Sequence, residues 1–220
     1  MSMPPRSPVQ PPVCAIVDIG IGNLHSAEKA FLRMAEGQHR VVVTADPEVV
    51  ARAERVVLPG DGAFPACRRA LAAVPGLEEA IRGAVAAGRP LFGICVGMQL
   101  LASIGHEFET CAGLDLIPGE VVRIAPSDPR LKVPHMGWND LVVTGRHPVL
   151  EGVKTGDHAY FVHSWQMRVA DPAHRLAHVD HGGEITAIVA RDTILATQFH
   201  PEKSQRTGLR LIAGFLAWRP

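Results

Sequence analysis

Short apolar runs alternate with longer, helix-like segments along the first half of the chain. VCAIVDIG, which begins at residue 13, is rich in β-branched residues and predicts a strand, and the following NLHSAEKAFLRMA places apolar residues at helical spacing. The same succession recurs in RVVVTAD before PEVVARAE, in RVVLPG before an alanine- and leucine-rich segment ending at Gly88, and in PLFGIC before VGMQLLAS. Strands that alternate with helices pair in parallel through right-handed crossovers. This half therefore predicts an α/β fold with an open, mainly parallel sheet covered by helices on both faces.

The pattern changes after about Gly113, where strand-like runs follow one another closely. These runs are GEVVRIA, WNDLVVT, AYFVHSWQMRV, HRLAHV, EITAIVAR and TILATQFH, and turn residues separate them. HGGE, at residues 181–184, predicts a tight hairpin between two of them. The second half therefore predicts an antiparallel strand extension of the sheet, closed by a C-terminal helix in SQRTGLRLIAGFLAW.

Length and composition narrow the class of protein. A chain of 220 residues is long enough for one α/β domain, which we assign to residues 13–220, after a polar, proline-rich tail (1–12) that we expect to be disordered. Acidic and basic residues balance at 22 each, so the overall charge favours neither nucleic acid nor an anionic membrane as a partner. The start lacks the apolar core of a secretory signal, and the four cysteines show no paired spacing. We therefore expect a cytoplasmic protein with free thiols.

Cys95 stands between Gly93 and Gly97 at a strand-to-helix boundary. In a turn of this form the central residue is held in a strained conformation with its side chain clear of the sheet, and glycines are needed because a Cβ beside the turn would collide with a neighbouring element. A helix N-terminus also favours a thiolate over a thiol. The alternative is a buried cysteine that acts as a small apolar residue. The strand-to-helix context favours the nucleophile.

A thiol nucleophile needs a base and a group that orients the base. His200 ends the run ATQFH, and Glu202 lies two residues further on, where an extended chain projects side chains to the same side. Each alone is unremarkable, since His200 could be a loop histidine and Glu202 a surface carboxylate. Together with the elbow at Cys95 they predict a Cys-His-Glu triad.

An oxyanion site requires two amide donors near the nucleophile. The amide of Val96, directly after Cys95, is one candidate. Gly60, Asp61 and Gly62 end the preceding strand and offer a second donor, in the crevice where open α/β sheets bind ligands. These glycines could equally mark only a tight turn.

Two further segments resemble cofactor or metal sites but do not complete them. GIGNLH begins like a dinucleotide-binding fingerprint, yet His25 stands where the third glycine belongs. HVDH, at residues 178–181, has no second ligand pair at suitable spacing. We therefore expect neither a cofactor nor a metal.

Several motifs together resemble those of the class I, triad-type glutamine amidotransferases. The elbow GICVGMQLL, the loop LPGDGAF and the terminal FHPEKS carry this resemblance. Within the family, VDIGIGNLHS, GLDLIPGEV, VPHMGWN and YFVHSW are similar to segments of the glutaminase subunits of imidazole glycerol phosphate synthases. The resemblance extends from about residue 13 to 218, nearly the whole chain.

The resemblance implies that Cys95 attacks the side-chain amide of glutamine, His200 transfers the protons and Glu202 orients His200. It implies that the amides of Val96 and Gly62 stabilise the oxyanion. Glutamine would be held by Gly60, Gln99 and the backbone around Ser164 and Trp165, although core packing explains the side chain of Trp165 at least as well.

The resemblance also implies a partner. The ammonia would pass to a (β/α)8-barrel cyclase subunit in a heterodimer, which makes imidazole glycerol phosphate and an aminoimidazole carboxamide ribonucleotide in histidine biosynthesis. Asn23, Trp138 and Lys203 would lie at the interface, although such a lysine is usually a solvated charge. Two alternatives stay open, a glutaminase that serves another synthase, such as those for anthranilate or pyridoxal phosphate, and a non-catalytic binding subunit of the same fold.

Asp61 departs from the family pattern, which has a small apolar residue at this position. A carboxylate that faced the oxyanion would oppose its negative charge. We therefore expect the side chain of Asp61 to point away from Cys95, either toward solvent or toward the amides of the following helix, AFPACRRAL, where it would act as an N-terminal cap.

Overall fold

The computed structural model describes residues 11–22 and 24–220. The first half of this part of the chain contains the strands β1 (Val13–Val17), β2 (Arg40–Thr44), β3 (Arg55–Gly60) and β4 (Leu91–Cys95). Its helices are α1 (Leu24–Ala35), α2 (Pro47–Arg52), α3 (Phe64–Ala72), α4 (Leu77–Ala86) and α5 (Val96–Gln99).

The second half is mostly β-structure. Its strands are β5 (Ile104–Gly105), β6 (Cys111–Ala112), β7 (Gly119–Arg123), β8 (His135–Asp140), β9 (Val142–Val143), β10 (His158–His163), β11 (Trp165–Val169), β12 (Arg175–Asp180), β13 (Glu184–Arg191) and β14 (Ile194–Thr197). Short 3-10 helices occur at Pro148–Leu150, Pro172–His174 and Pro201–Lys203, and α6 (Gln205–Ala217) ends the fold.

The central sheet has the strand order β2-β1-β3-β4-β14-β13-β12-β9. The first five strands are parallel, and β13, β12 and β9 continue the sheet in antiparallel pairing. The predicted α/β fold with an antiparallel extension is therefore confirmed. The predicted hairpin is also confirmed, since Asp180 pairs with Glu184 across the turn.

Helices bury apolar faces against the sheet. On one face Phe31 of α1 and Phe215 of α6 meet Phe92 of β4, with ring centroids 5.1–6.3 Å apart. The buried guanidinium of Arg55 fixes the end of α6, because it donates to the carbonyl oxygens of Phe215 (3.2 Å) and Trp218 (2.6 Å). In the described part of the chain, no helix is long and apolar enough to cross a membrane.

Two predicted elements differ from the structure. VGMQLLAS forms only the one-turn helix α5, because the carbonyl oxygens of Leu100 and Leu101, which a longer helix would use, accept hydrogen bonds from residues 114–117. AYFVHSWQMRV is divided at Ser164, whose carbonyl accepts from Ile124 N (2.9 Å). Strand β10 before the division pairs with β8, and β11 after it pairs with β7 in a different sheet.

The predicted tail falls mainly on residues 1–10, which lie outside the described residues. Pro12, the last residue of the predicted tail, already bonds to β2, since its carbonyl oxygen accepts from Arg40 N at 2.9 Å. Regular pairing begins at Val13, where the domain was predicted to begin.

Candidate active site

Cys95 is the last residue of β4 and directly precedes α5. Its backbone has φ 54° and ψ −113°, a conformation that L-residues rarely adopt, and its side chain is buried. Strain of this kind persists only where the surrounding structure enforces it. The elbow predicted from the glycine spacing is therefore present, although the helix behind it has a single turn.

The neighbouring glycines allow the backbones of β3, β4 and α5 to meet without side chains between them. A methyl group at Gly97 would overlap the carbonyl oxygen of Leu58 in β3, and one at Gly60 would lie 2.6 Å from the nitrogen of Gly97. At Gly93 it would lie 3.0 Å from Met98 Cα. These contacts fix the elbow against the end of β3.

His200 and Glu202 follow β14, which pairs in parallel with β4 and so ends beside Cys95. Nδ1 of His200 lies 2.8 Å from Oε1 of Glu202, and both side chains are buried. Because an ionised carboxylate only accepts, Nδ1 carries the proton and Nε2 is left for the thiol. Nε2 has no partner in good hydrogen-bond geometry, while the thiol of Cys95 lies near enough to interact with the imidazole.

The protonation of His200 follows from these neighbours. Burial alone lowers the pKa of His200, but the neighbouring thiol of Cys95 and the hydrogen bond to Glu202 outweigh burial and raise this pKa to about 10. The imidazolium is therefore favoured at neutral pH. A group in this state can donate a proton to a leaving amine.

The loop at the end of β3 is held in an unexpected way. The amide of Gly62, the predicted oxyanion donor, donates to Oδ1 of Asp61 at 2.8 Å. The expected cap at α3 is absent, and that prediction was wrong, because the first helical amide, Phe64 N, donates instead to Glu107 Oε2 at 2.7 Å. The carboxylate of Asp61 thus accepts from the amide that was predicted to bind the oxyanion.

A cavity of about 240 Å³ opens beside the thiol. Its lining includes Cys95, Gly62, Val96, Gln99, Ser164 and Trp165, so it brings together most of the predicted site residues. The side chain of Trp165 also packs, partly buried, against the apolar core. Gly60 lies apart from this cavity, under the elbow, where it borders a small second cavity together with His200, Glu202 and Lys203.

Glu107 is a cavity residue that the sequence analysis missed. Its carboxyl group is buried beside Gly62 and Gln99, and burial raises its pKa, partly offset by the hydrogen bond from Phe64 N. Burial therefore favours the neutral acid, and a cation bound beside it would restore the carboxylate. The sequence carries no signal for this role. Glu107 lies in a loop, after a two-residue strand and before the exposed Phe108, as an ordinary surface carboxylate would.

Two buried histidines support the cavity wall. His163 donates through Nδ1 to Trp165 O (2.8 Å), so its Nε2 accepts from Nδ1 of His135 (3.0 Å), whose own Nε2 accepts from the Asn139 amide (3.1 Å). Burial lowers the pKa of His135 to about 4 and that of His163 to about 3. Both are therefore neutral, and each ring nitrogen has a partner.

Two of the predicted interface residues, Trp138 and Lys203, are linked through Tyr160. Trp138 in β8 is 48 % exposed and packs edge-on against Tyr160, with ring centroids 5.7 Å apart. Tyr160 is bonded through its backbone to His200 N and Ser204 Oγ, on either side of the exposed Lys203. Asn23 lies outside the described residues.

No group of three or more His, Cys, Asp or Glu side chains suited to a metal ion occurs among residues 11–22 and 24–220. The site therefore consists of a thiol, an imidazole–carboxylate pair, main-chain amides and a polar cavity.

Comparisons with known proteins agree with this arrangement. The model of the glutamine amidotransferase class-I family matches residues 15–217. The chain is 65 % identical over 208 residues to the imidazole glycerol phosphate synthase subunit HisH of Cereibacter sphaeroides, covering 93 % of this chain and 98 % of that protein. For the same subunit of Ruegeria pomeroyi the identity is 59 % over 209 residues, with coverage of 94 % and 99 %. The solved structure of PurLQS from Thermotoga maritima has a TM-score of 0.68 at 19 % identity, covering 94 % of this chain and 97 % of that one, and supports the fold alone.

Proposed function

We propose that this chain, which belongs to the class I glutamine amidotransferase family, is the glutaminase subunit of an imidazole glycerol phosphate synthase in histidine biosynthesis. The observation that carries the proposal is the buried Cys95, His200 and Glu202 arrangement beside a cavity, in a chain 65 % identical to a subunit of that synthase.

The reaction begins when the sulfur of Cys95 attacks the side-chain amide carbon of glutamine. Because the imidazolium is favoured, Nε2 of His200 already holds the proton of the thiol, and it passes this proton to the amide nitrogen, which leaves as ammonia when the C–N bond breaks. Water then attacks the γ-glutamyl thioester and gives a proton to Nε2 of His200, so that glutamate is released and the thiolate–imidazolium pair is restored. Glu202 holds His200 in the required tautomer through the 2.8 Å bond to Nδ1.

Glutamine is held by groups around the cavity. The buried carboxylate of Glu107 and the side-chain oxygen of Gln99 are suited to its ammonium group. The backbone around Ser164 and Trp165 is suited to its carboxylate. The amides of Val96 and Gly62 stabilise the oxyanion, once the amide of Gly62 is free of Asp61.

The ammonia passes to a (β/α)8-barrel cyclase subunit, which binds over the surface that includes Trp138 and Lys203. The bond between Asp61 and Gly62 keeps the resting glutaminase slow, and the loop completes the oxyanion site when the cyclase carries its nucleotide ligand. Coupling of this kind prevents loss of ammonia to solvent. We place the reaction in the cytoplasm, in keeping with the four free cysteines.

The test is a rate comparison with purified subunits. We expect slow glutamate formation by this chain alone, and a rise of at least about tenfold when the barrel cyclase and its nucleotide are both present. Equal rates with and without the cyclase would contradict the proposed coupling. Activation only by the synthase subunit of another pathway would show that the cyclase is not the partner.

A second test identifies the nucleophile. A glutamine-like electrophile should modify Cys95, as mapped by mass spectrometry of peptides. Cys14 and Cys67 serve as internal controls, because burial raises their pKa to about 12 and about 11 and keeps them protonated. Modification at either of them, with Cys95 untouched, would refute the assignment.

A further inference from the structure

Gln198 lies two residues before His200, just beyond the end of β14, and its side chain is fully buried. It takes no part in lining the glutamine cavity. Its amide group instead bridges two residues of the site, Gln99 and Cys95. A buried amide of this kind is stable only when its polar atoms have partners.

The orientation of this amide follows from its neighbours. The carbonyl oxygen of Trp165 can only accept, so the atom of Gln99 that lies 3.0 Å from it is the nitrogen Nε2. The same nitrogen lies 3.0 Å from the amide of Gln198, which must present its oxygen there. Nε2 of Gln198 is consequently turned toward the sulfur of Cys95, at 3.7 Å. The assignment therefore depends on a main-chain carbonyl and not on the placement of any hydrogen.

We propose that Gln198 is a hydrogen-bond donor to the nucleophilic sulfur, which it holds in the thiolate form, and that Gln99 keeps Gln198 in the donating orientation. The proposal rests on the proposed function, because it assigns Gln198 to the machinery of the same thiol. It also gives Gln99 a second task besides contact with glutamine.

The physical reason is the difference between a thiolate and a thiol as acceptors. A neutral thiol accepts hydrogen bonds weakly, whereas a hydrogen bond to a charged group is about twice as strong as one between neutral groups. A fixed donor therefore stabilises the ionised sulfur more than the protonated one and favours the reactive form. The one-turn helix α5 has only a short macrodipole to offer Cys95, so side-chain donors matter more here.

The arrangement also connects substrate binding with the nucleophile. The carbonyl of Trp165, which sets the orientation of Gln99, belongs to the segment proposed to bind the carboxylate of glutamine. His163 donates to the same carbonyl at 2.8 Å and fixes its position. Two side-chain amides thus lie between the glutamine-binding segment and the sulfur.

The experiment measures how the ionisation of Cys95 depends on Gln198. Gln198→Met keeps the length of the side chain and removes the donor, and Gln166→Met is the matched control, since Gln166 is also a buried glutamine but lines a different groove. The rate of alkylation of Cys95 by iodoacetamide is followed between pH 5 and 10 by peptide mass spectrometry. We expect the midpoint of the Gln198→Met profile to rise by about one pH unit, and that of Gln166→Met to coincide with the wild type.

Steady-state kinetics give a second readout. In the stimulated complex, Gln198→Met should lower kcat by about tenfold at pH 7 and leave the KM for glutamine within about twofold, because the side chain touches the sulfur and not the cavity. A residue that only supports packing would change the melting temperature without moving the alkylation profile.

The outcomes separate this proposal from the proposed function. An unchanged Cys95 profile in folded Gln198→Met overturns the role of Gln198 even if the chain is a working glutaminase. A shifted profile supports that role even if no cyclase stimulates the chain, since alkylation needs neither partner nor glutamine. Should Gln198→Met fail to fold, Gln198→Asn, whose amide is one methylene too short to reach the sulfur, should give the same shift, and an unchanged profile in that variant also overturns the proposal.

Discussion

On one side of Cys95 lie His200 and Glu202, buried and joined by a 2.8 Å hydrogen bond, and on the other side lies the loop from Gly60 to Gly62. The first side is already assembled in the structure. On the second side the amide of Gly62 is bound to the exposed Asp61 and is not free for an oxyanion.

The difference shows which part of the site is suited to control. Separating the buried pair would leave a charged group buried without its partner, which is costly. Turning the loop exchanges one exposed hydrogen bond for another and costs little. An enzyme that must wait for its partner can therefore keep the proton-transfer groups ready and leave the amide donor to be supplied last.

The largest effect is expected on the assembled side. Glu202→Gln keeps the shape of the side chain but presents an amide to His200, which favours the wrong tautomer. We expect the stimulated glutaminase rate to fall by on the order of 10³ to 10⁴. Glu79→Gln, an exposed change on α4, is the control and should have no effect. A loss of less than about tenfold would contradict the role of the pair.

The second prediction concerns the loop side. Asp61→Val removes the acceptor from Gly62 N and should raise the unstimulated rate by about a hundredfold, the lower end of the range of about 10² to 10³ that one oxyanion donor contributes. Asp61→Asn keeps an acceptor oxygen but removes the charge, and should stay close to the wild type. Equal gains in both variants would show that charge, and not occupation of the amide, limits the resting enzyme.

The third prediction uses pH to test the two buried histidines that support the cavity wall. His135 and His163 stay neutral in the folded chain because their pKa values are lowered, whereas in the unfolded chain each binds a proton below pH 6.5, the ordinary pKa of histidine. The contribution of these two histidines to stability is thus complete above pH 6.5 and is lost as the pH falls toward about 4. We expect His135→Gln to lessen the loss between pH 7 and pH 5 by about 1 to 2 kcal/mol in urea unfolding.

The control for this titration is His25→Gln, which replaces an exposed histidine of α1 and should leave the slope unchanged. If the stability of His135→Gln and the wild type falls in parallel with pH, the buried histidine network is not the source of acid sensitivity.

The smallest effect is expected where the partner meets the chain. Lys203→Glu reverses an exposed charge, so the affinity for the cyclase should weaken by up to about fivefold, and more at low salt. Arg40→Glu, at the opposite end of the parallel strands, is the matched charge reversal. Titration of each variant with the cyclase measures the difference, and identical affinities with identical stimulation would remove Lys203 from the interface.

Local patterns in the sequence predicted the α/β fold and the elbow. Strand-to-helix alternation and the spacing of Gly93, Cys95 and Gly97 are short-range features, so they can be read from neighbouring letters. His200 and Glu202 are separated by one residue, which is also a short-range feature of the sequence. In the structure the two side chains form a hydrogen bond.

Features that depend on distant partners could not be predicted in this way. α5 ends early because residues 114–117 donate to the carbonyl oxygens of the three residues that follow it (100–102), and Asp61 fails to cap α3 because Glu107 already binds Phe64 N. The orientation of Gln198 depends on Trp165, which is 33 positions away in the sequence. In each case two groups compete for one hydrogen-bonding atom, and the outcome depends on the assembled fold.

The contact between Gly60 and Gly97 has a mechanical consequence. Where two backbones touch with no side chain between them, there is no rotamer that can absorb a displacement. A displacement of β3 is therefore transmitted directly to the elbow at Cys95, and the two elements move together. At Gly62 there is no such contact, since an added Cβ would meet nothing within 4 Å, so this end of the loop has room to turn while the elbow stays against β3.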